Sequence, residues 1–305
     1  MTETETSRRI AFERANHRAF FGLSALLFAA SAAVTIAWCA SMSAMGGMPM
    51  PGGWTMSMAW MRMPGQTRAG AAASFIGMWI VMMMAMMLPS LVPMLWRYRQ
   101  AVGRAAASAT AAASCAEAPR RRGEARVGRL TALVGVGYFF VWTVFGLAAF
   151  PVGIALAEIE MQHPTVARAV PVAAGVVVLA AGALQFTAWK ARHLACCREA
   201  SGGETSLKRP PAAESGSGRG RAVPADAGAA WRLGLRLGLH CSCCCGGLMA
   251  LLLVIGVMDL RAMAVVAAAI TSERLAPAGE RVARAIGAVV VGAGLFLIGR
   301  AAGLG

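Results

Sequence analysis

The chain has 305 residues, of which 58% are apolar and only 14% charged, and its mean hydropathy is +0.60. That balance excludes an ordinary soluble domain. A formal net charge of +15 invites a nucleic-acid reading, but the basic residues alternate with apolar runs in the manner of membrane topology, which argues for the bilayer as partner and against nucleic acid.

Apolar runs long enough to cross a hydrocarbon core of about 30 Å fall near residues 20–40, 70–96, 130–157, 167–189, 233–258 and 282–301. A shorter run near 261–272 makes a seventh span or a half-span. The fold class expected is therefore all-α, a polytopic transmembrane helical bundle of six or seven spans. Residues 1–19 form a basic tail, and 20–302 a single membrane domain. The first run is longer than the apolar region of a cleaved signal, so it is expected to stay as a helix.

Of 29 Lys and Arg residues, 4 lie in the tail 1–19, 8 in 97–129, 9 in 190–236 and 3 in 274–284. The positive-inside rule then puts the N-terminus in the cytoplasm and the chain in a bacterial inner membrane. Six spans return the C-terminus to the cytoplasm; seven leave it outside. Trp38, Trp96, Tyr98, Tyr138, Trp189 and Trp231 stand near the expected helix ends, where amphipathic rings favour the interface. Segments 101–126 and 199–229, rich in Ala, Arg, Gly, Ser and Pro, are expected to be disordered cytoplasmic linkers.

Segment 41–64 is expected to be a flexible periplasmic loop with Met42, Met45, Met48, Met50, Met56, Met58, Met61 and Met63. Thioethers bind Cu(I) weakly and need no deprotonation, so capture of copper is one reading of this loop. The other is a hydrophobic re-entrant or interface-lying segment, which Trp54 and Trp60 support. In the second span Met82, Met86, Ser90 and Pro93 share a helical face, beside Met83 and Met87. Methionine is a common core residue, but this density ahead of Pro89 and Pro93 suggests a thioether wall.

Past the fourth span, His193 and Cys197 stand four residues apart with Cys196 beside them. Lys190, Arg192 and Arg198 are near enough to lower a thiol pKa. A transfer site and a plain surface cysteine both fit. In the fifth span the run His240, Cys241, Ser242, Cys243, Cys244, Cys245 is the densest chemistry in the chain. Cys241, Cys244, Cys245 and Met249 fall on one helical face with His240 at its edge, and Cys243 points away. Soft sulfur with one imidazole suits Cu(I) first and Zn(II) second. The eight cysteines are not expected to form a disulfide framework, because most lie in the membrane or on its reducing side. Asp259 and Glu273 bracket the short run, where holding its ends is the expected role and proton shuttling the alternative. No P-loop, Gly-x-Ser-x-Gly, zincin or paired-carboxylate motif is present, so no catalytic activity is expected.

Three blocks carry a resemblance to a known family. They are Trp79-x-x-Met82-x-x-Ala85-Met86-Met87-x-Pro89-Ser90, Lys190-x-x-His193-Leu194-x-x-Cys197-Arg198, and Cys241-x-x-Cys244-Cys245-x-x-Leu248-Met249. The third is followed by Gly256-Val257-Met258-Asp259-Leu260, Met263 and Glu273. The chain resembles the bacterial family of metal-binding integral membrane proteins catalogued as a domain of unknown function. It departs from that pattern where His193 replaces a cysteine, where Cys243 is added, and where Arg274 replaces a lysine. The resemblance implies metal binding without naming the metal. The reading reached is a membrane protein that captures Cu(I) and passes it to the Cys/His/Met site, with a copper chaperone or cuproenzyme as partner. An assembly factor for a membrane cuproenzyme, a membrane thiol-redox protein and a structural subunit are the alternatives.

Overall fold

A computed structural model of the chain describes residues 3–57, 60–61, 65–112, 119–199 and 226–303. Eight helices dominate them: α1 (Glu3–Ala44), α2 (Arg68–Ala112), α3 (Pro119–Gln162), α4 (Pro164–Leu184), α5 (Ala188–Glu199), α6 (Ala227–Ile255), α7 (Leu260–Leu275) and α8 (Gly279–Ala301). A two-stranded hairpin, β1 (Met48–Met50) and β2 (Trp54–Met56), follows α1. Six helices, all but α5 and α7, are long and apolar enough to cross a membrane. A helix satisfies its backbone groups internally, which is what a segment in hydrocarbon requires.

The order of packing fixes how the chain runs. Helices α3 and α4 are joined at His163, with Pro164 at the first helical position, where a missing N–H costs nothing. Helix α6 lies parallel to α3 at very close range. A Cβ on Gly137 would meet Trp231 and Gly234, one on Gly234 would meet Val134, and one on Gly238 would meet Tyr138 and Val141. Helix α8 runs antiparallel to α4, with Gly175 against Ile298 and Gly182 against Val291 and Gly287. Small residues let backbones approach where lipid supplies no hydrophobic drive.

Helices α6 and α8 thus point the same way, and α7 must bring the chain back between them. Its 16 residues reach about 24 Å at 1.5 Å per residue. The chain enters it just after Met258, whose sulfur is 3.9 Å from Cys39 on α1, and near its far end Glu273 meets Lys190 on α5. The short run is therefore a helix packed by one face against the bundle, with Val265 exposed, and too short to count among the six long ones. Asp259 caps it by accepting from the amides of Arg261 and Ala262 at 2.8 and 2.9 Å, the end-holding role expected of it. Glu273, by contrast, is 1% exposed and faces the bundle interior.

Several expectations need correction. The fourth apolar run does not continue to residue 189: α4 ends at Leu184, and Trp189 belongs to α5 after a turn over 185–187. Tyr138 is wholly buried rather than interfacial. Within 101–126, α2 extends to Ala112 with Val102 buried, and α3 begins at Pro119; 113–118 lie outside the described residues. The second linker, over 200–225, also lies outside them, and 227–229 open α6 behind the cap of Asp226. In place of an open loop over 41–64, residues 41–44 complete α1 and the hairpin pairs Met48 with Met56 and Met50 with Trp54. Met50 and Met56 are buried against Ala157 and Ala167, and Trp54 Nε1 donates to the Ala167 carbonyl at 2.9 Å. Met58 and Met63 lie outside the described residues.

Candidate metal centre

Midway along α6, residues at i, i+3 and i+4 face the interior, so Cys241, Cys244 and Cys245 are all buried together. Cys241 and Cys245 have sulfurs 3.7 Å apart, and Cys244 and Cys245 3.5 Å. Among the described residues, this is the one group of three or more metal-type ligands whose atoms lie within 4.8 Å of one another. A metal–sulfur bond of about 2.3 Å places trigonal sulfurs roughly 4 Å apart, so small side-chain adjustments would seat an ion. Cys243 is only partly buried on the other side of the helix, as its spacing implied.

The block on α5 joins this cluster. Cys197 is buried, and its sulfur stands 3.8 Å from that of Cys244. One turn earlier His193 meets His240, with Nδ1 atoms 3.3 Å apart, and both rings are half-buried. The two motifs that stand 47 residues apart in sequence are thus one site with four sulfurs and an imidazole pair at its rim.

Three further elements complete its surroundings. From α3, the Tyr138 hydroxyl donates to Cys241 Sγ at 2.9 Å. From α7, Arg274 donates to the same sulfur at 3.3 Å, to Ser90 Oγ at 2.9 Å and to Met94 Sδ at 3.0 Å. Lys190 pairs with Glu273 at 2.6 Å and also donates to the Cys244 carbonyl, both side chains being buried. That pair cancels its own charge. Arg274 is left facing sulfur and hydroxyl atoms, where its permanent positive charge favours thiolate.

The expectation that basic neighbours would lower the Cys197 thiol is reversed. Its sulfur hydrogen bond to Cys244 pushes it up, and burial adds to the effect. Lys190 is turned to Glu273, and Arg192 is exposed. Burial likewise raises the Glu273 carboxyl, with Lys190 opposing.

Methionines of α2 pack into the same core as the cysteines. Met82, Met86 and Met87 are almost fully buried there, and Met249 is buried one turn beyond Cys245. From α2, Met94 joins the surroundings of the centre through its contact with Arg274. Sequence reasoning did not place Tyr138 or Arg274 against Cys241, nor pair Lys190 with Glu273, although it named all four residues. A signal was available for the last three: ionisable residues beside apolar spans are costly and tend to be functional.

A family model described as PpoB2, a copper chaperone, matches residues 76–297. No curated protein matches the chain, and no solved structure does.

Proposed function

The chain belongs to the PpoB2 copper chaperone family, and from that premise we propose that its four-cysteine centre accepts Cu(I) as cargo and hands it to a protein acceptor. What supports this most is the convergence of Cys197, Cys241, Cys244 and Cys245 beneath Arg274 in a multi-pass membrane bundle. Sulfur is the ligand Cu(I) prefers. Bare thiolates in an apolar interior are costly. Two thiolates binding Cu(I) carry one net negative charge, and the Arg274 guanidinium offsets it. Loaded and compensated, the centre is neutral in a region of low dielectric.

Transfer proceeds by exchange of one sulfur at a time. Cys197 sits on a short helix that is not a span, next to the half-buried His193 and His240. It is the sulfur through which the ion leaves the three cysteines of α6 toward an acceptor. No bond of an organic substrate is made or broken, in keeping with the missing catalytic motifs. The basic tail and linkers are assigned to the cytoplasmic face of an inner membrane, so the acceptor meets the site from that face. Zn(II) is the competing cargo, since it takes the same sulfurs.

The test is a transfer assay. Cu(I)-loaded protein in lipid nanodiscs is mixed anaerobically with an acceptor peptide carrying a two-cysteine copper motif, and copper on each partner is measured after separation. Movement of copper to the peptide that slows in the Cys197→Ser variant supports the proposal. Copper that stays on the protein, or moves at the same rate without Cys197, contradicts it. Sealed vesicles containing the protein separate delivery from transport, because only a transporter accumulates copper in the lumen.

A further inference from the structure

At the hairpin end of the bundle a cavity of about 270 Å³ opens between the end of α1, the segment after the hairpin, the start of α2 and the α6–α7 turn. Met42, Met45, Met61, Met78 and Met258 line it, with Trp38 and Trp60 among its walls. These five methionines come from four separate parts of the chain. Among the described residues no acidic or basic side chain lines the cavity; the polar side chains there include the hydroxyls of Ser41 and Ser74 and the amide of Gln66. Cys39 stands behind it, its thiol 3.9 Å from the sulfur of Met258.

The cavity is also connected to the cysteine centre. From Met78, α2 carries Met82, Met86, Ser90 and Met94 at successive steps of four residues, which is one ridge of a helix. All five are buried. The ridge ends on Ser90 and Met94, which both accept from Arg274, the residue that also donates to Cys241. At 1.5 Å per residue it covers roughly 24 Å of the bundle.

We propose that this cavity is a second binding site, where a soft monovalent cation, Cu(I), is received on neutral thioethers before it reaches the thiolates. The inference rests on the copper reading above for the ion's identity, but on separate residues for the site. Thioethers hold Cu(I) without losing a proton and without adding charge, so the ion can bind there reversibly. Hard divalent ions, which want oxygen and charge, find neither in sufficient number.

Silver(I), a soft monovalent ion without redox chemistry, is the probe. In the full chain with Cys197, Cys241, Cys244 and Cys245 replaced by serine, about one silver ion per chain should remain bound, and binding should not change between neutral and mildly acidic pH. Adding Met42→Leu, Met45→Leu and Met258→Leu, which nearly conserve volume, should release it. Absence of silver from the serine variant, or equal retention after the leucine changes, overturns the proposal. A second measurement needs no substitution. In mild acid, where thiols are protonated, an alkylating agent modifies thioethers, and silver should slow modification of Met42, Met45 and Met258 in the unaltered protein by several-fold. An unchanged rate counts against the site. The cysteine centre is judged apart: copper retained there by a chain carrying only the three leucines leaves the first reading standing whichever way the silver result falls.

Discussion

The sulfurs of Cys197 and Cys244 lie 3.8 Å apart, although the residues belong to different helices separated by 47 positions. That contact turns a cysteine run in one span and a short basic block after another into one centre. The two stand on different elements: Cys244 lies in the long helix α6, whereas Cys197 lies, equally buried, on the short helix α5. Replacing Cys197 by serine should weaken retention of Cu(I) and slow its release to an acceptor, while the other three sulfurs still hold the ion. Competition against a copper-specific chelator checks the first effect and the transfer assay the second.

Arg274 should matter through its charge more than its shape. Arg274→Gln removes the guanidinium from Cys241 and frees Ser90 and Met94. Loss of such a supporting contact typically lowers metal affinity by about 10–100-fold. Arg274→Lys keeps the charge and should retain most of the affinity, in line with the lysine that the family pattern carries at this position. Chelator competition on both variants separates the two effects; equal loss in both would count against the electrostatic role.

Lys190 and Glu273 should be coupled in stability. Both are buried, and either one alone is an uncompensated charge in the bundle. Glu273→Gln should destabilise by about 3–5 kcal/mol, whereas changing both residues to apolar ones of similar volume should recover most of that. Thermal unfolding in detergent, run as a double-mutant cycle, measures the coupling.

Proton competition should be visible at the cysteine centre. Binding a metal displaces protons from thiols, so affinity is highest where thiols ionise and falls as pH falls. The Cys197 thiol is pushed up by its bond to Cys244 and by burial, which strengthens the proton as a competitor there. Copper affinity should therefore decrease steadily from mildly alkaline to mildly acidic pH, with proton release on loading measurable in weak buffer.

Gly234 tests the frame that holds the site. A Cβ there would be driven into the Val134 carbonyl of α3. Gly234→Ala should push α6 away from α3 and lengthen the 2.9 Å contact between Tyr138 and Cys241. Overpacking of this kind costs about 1–3 kcal/mol. The expected result is a lower melting temperature together with weaker copper retention; a change in neither would show that the close approach is dispensable.

Much of this architecture is legible in the sequence because bilayer physics leaves few choices. Long apolar runs must be helices, and residues at i, i+3 and i+4 must share a face, which is how Cys241, Cys244 and Cys245 were grouped without coordinates. What could not be read is which faces meet. Tyr138 looked interfacial because it stands early in an apolar run, yet glycines on α3 and α6 draw the two helices together and bury it. Met82 and Met86 are dense in the sequence and form the middle of a buried ridge, and that Met94 beyond the prolines is the methionine bonded to Arg274 depends on packing. Arg274 stands in the sequence only as one of the basic residues over 274–284, in place of a lysine. Only tertiary packing turns it toward Cys241.

The most direct measurement is copper per protein, by elemental analysis, on anaerobically purified chain loaded with Cu(I) or Zn(II), beside the Cys241→Ser, Cys244→Ser, Cys245→Ser triple variant. One ion held after extensive dialysis, copper in preference to zinc and lost in the variant, is the result this account predicts. No retained ion, or equal retention without the three thiols, would contradict it.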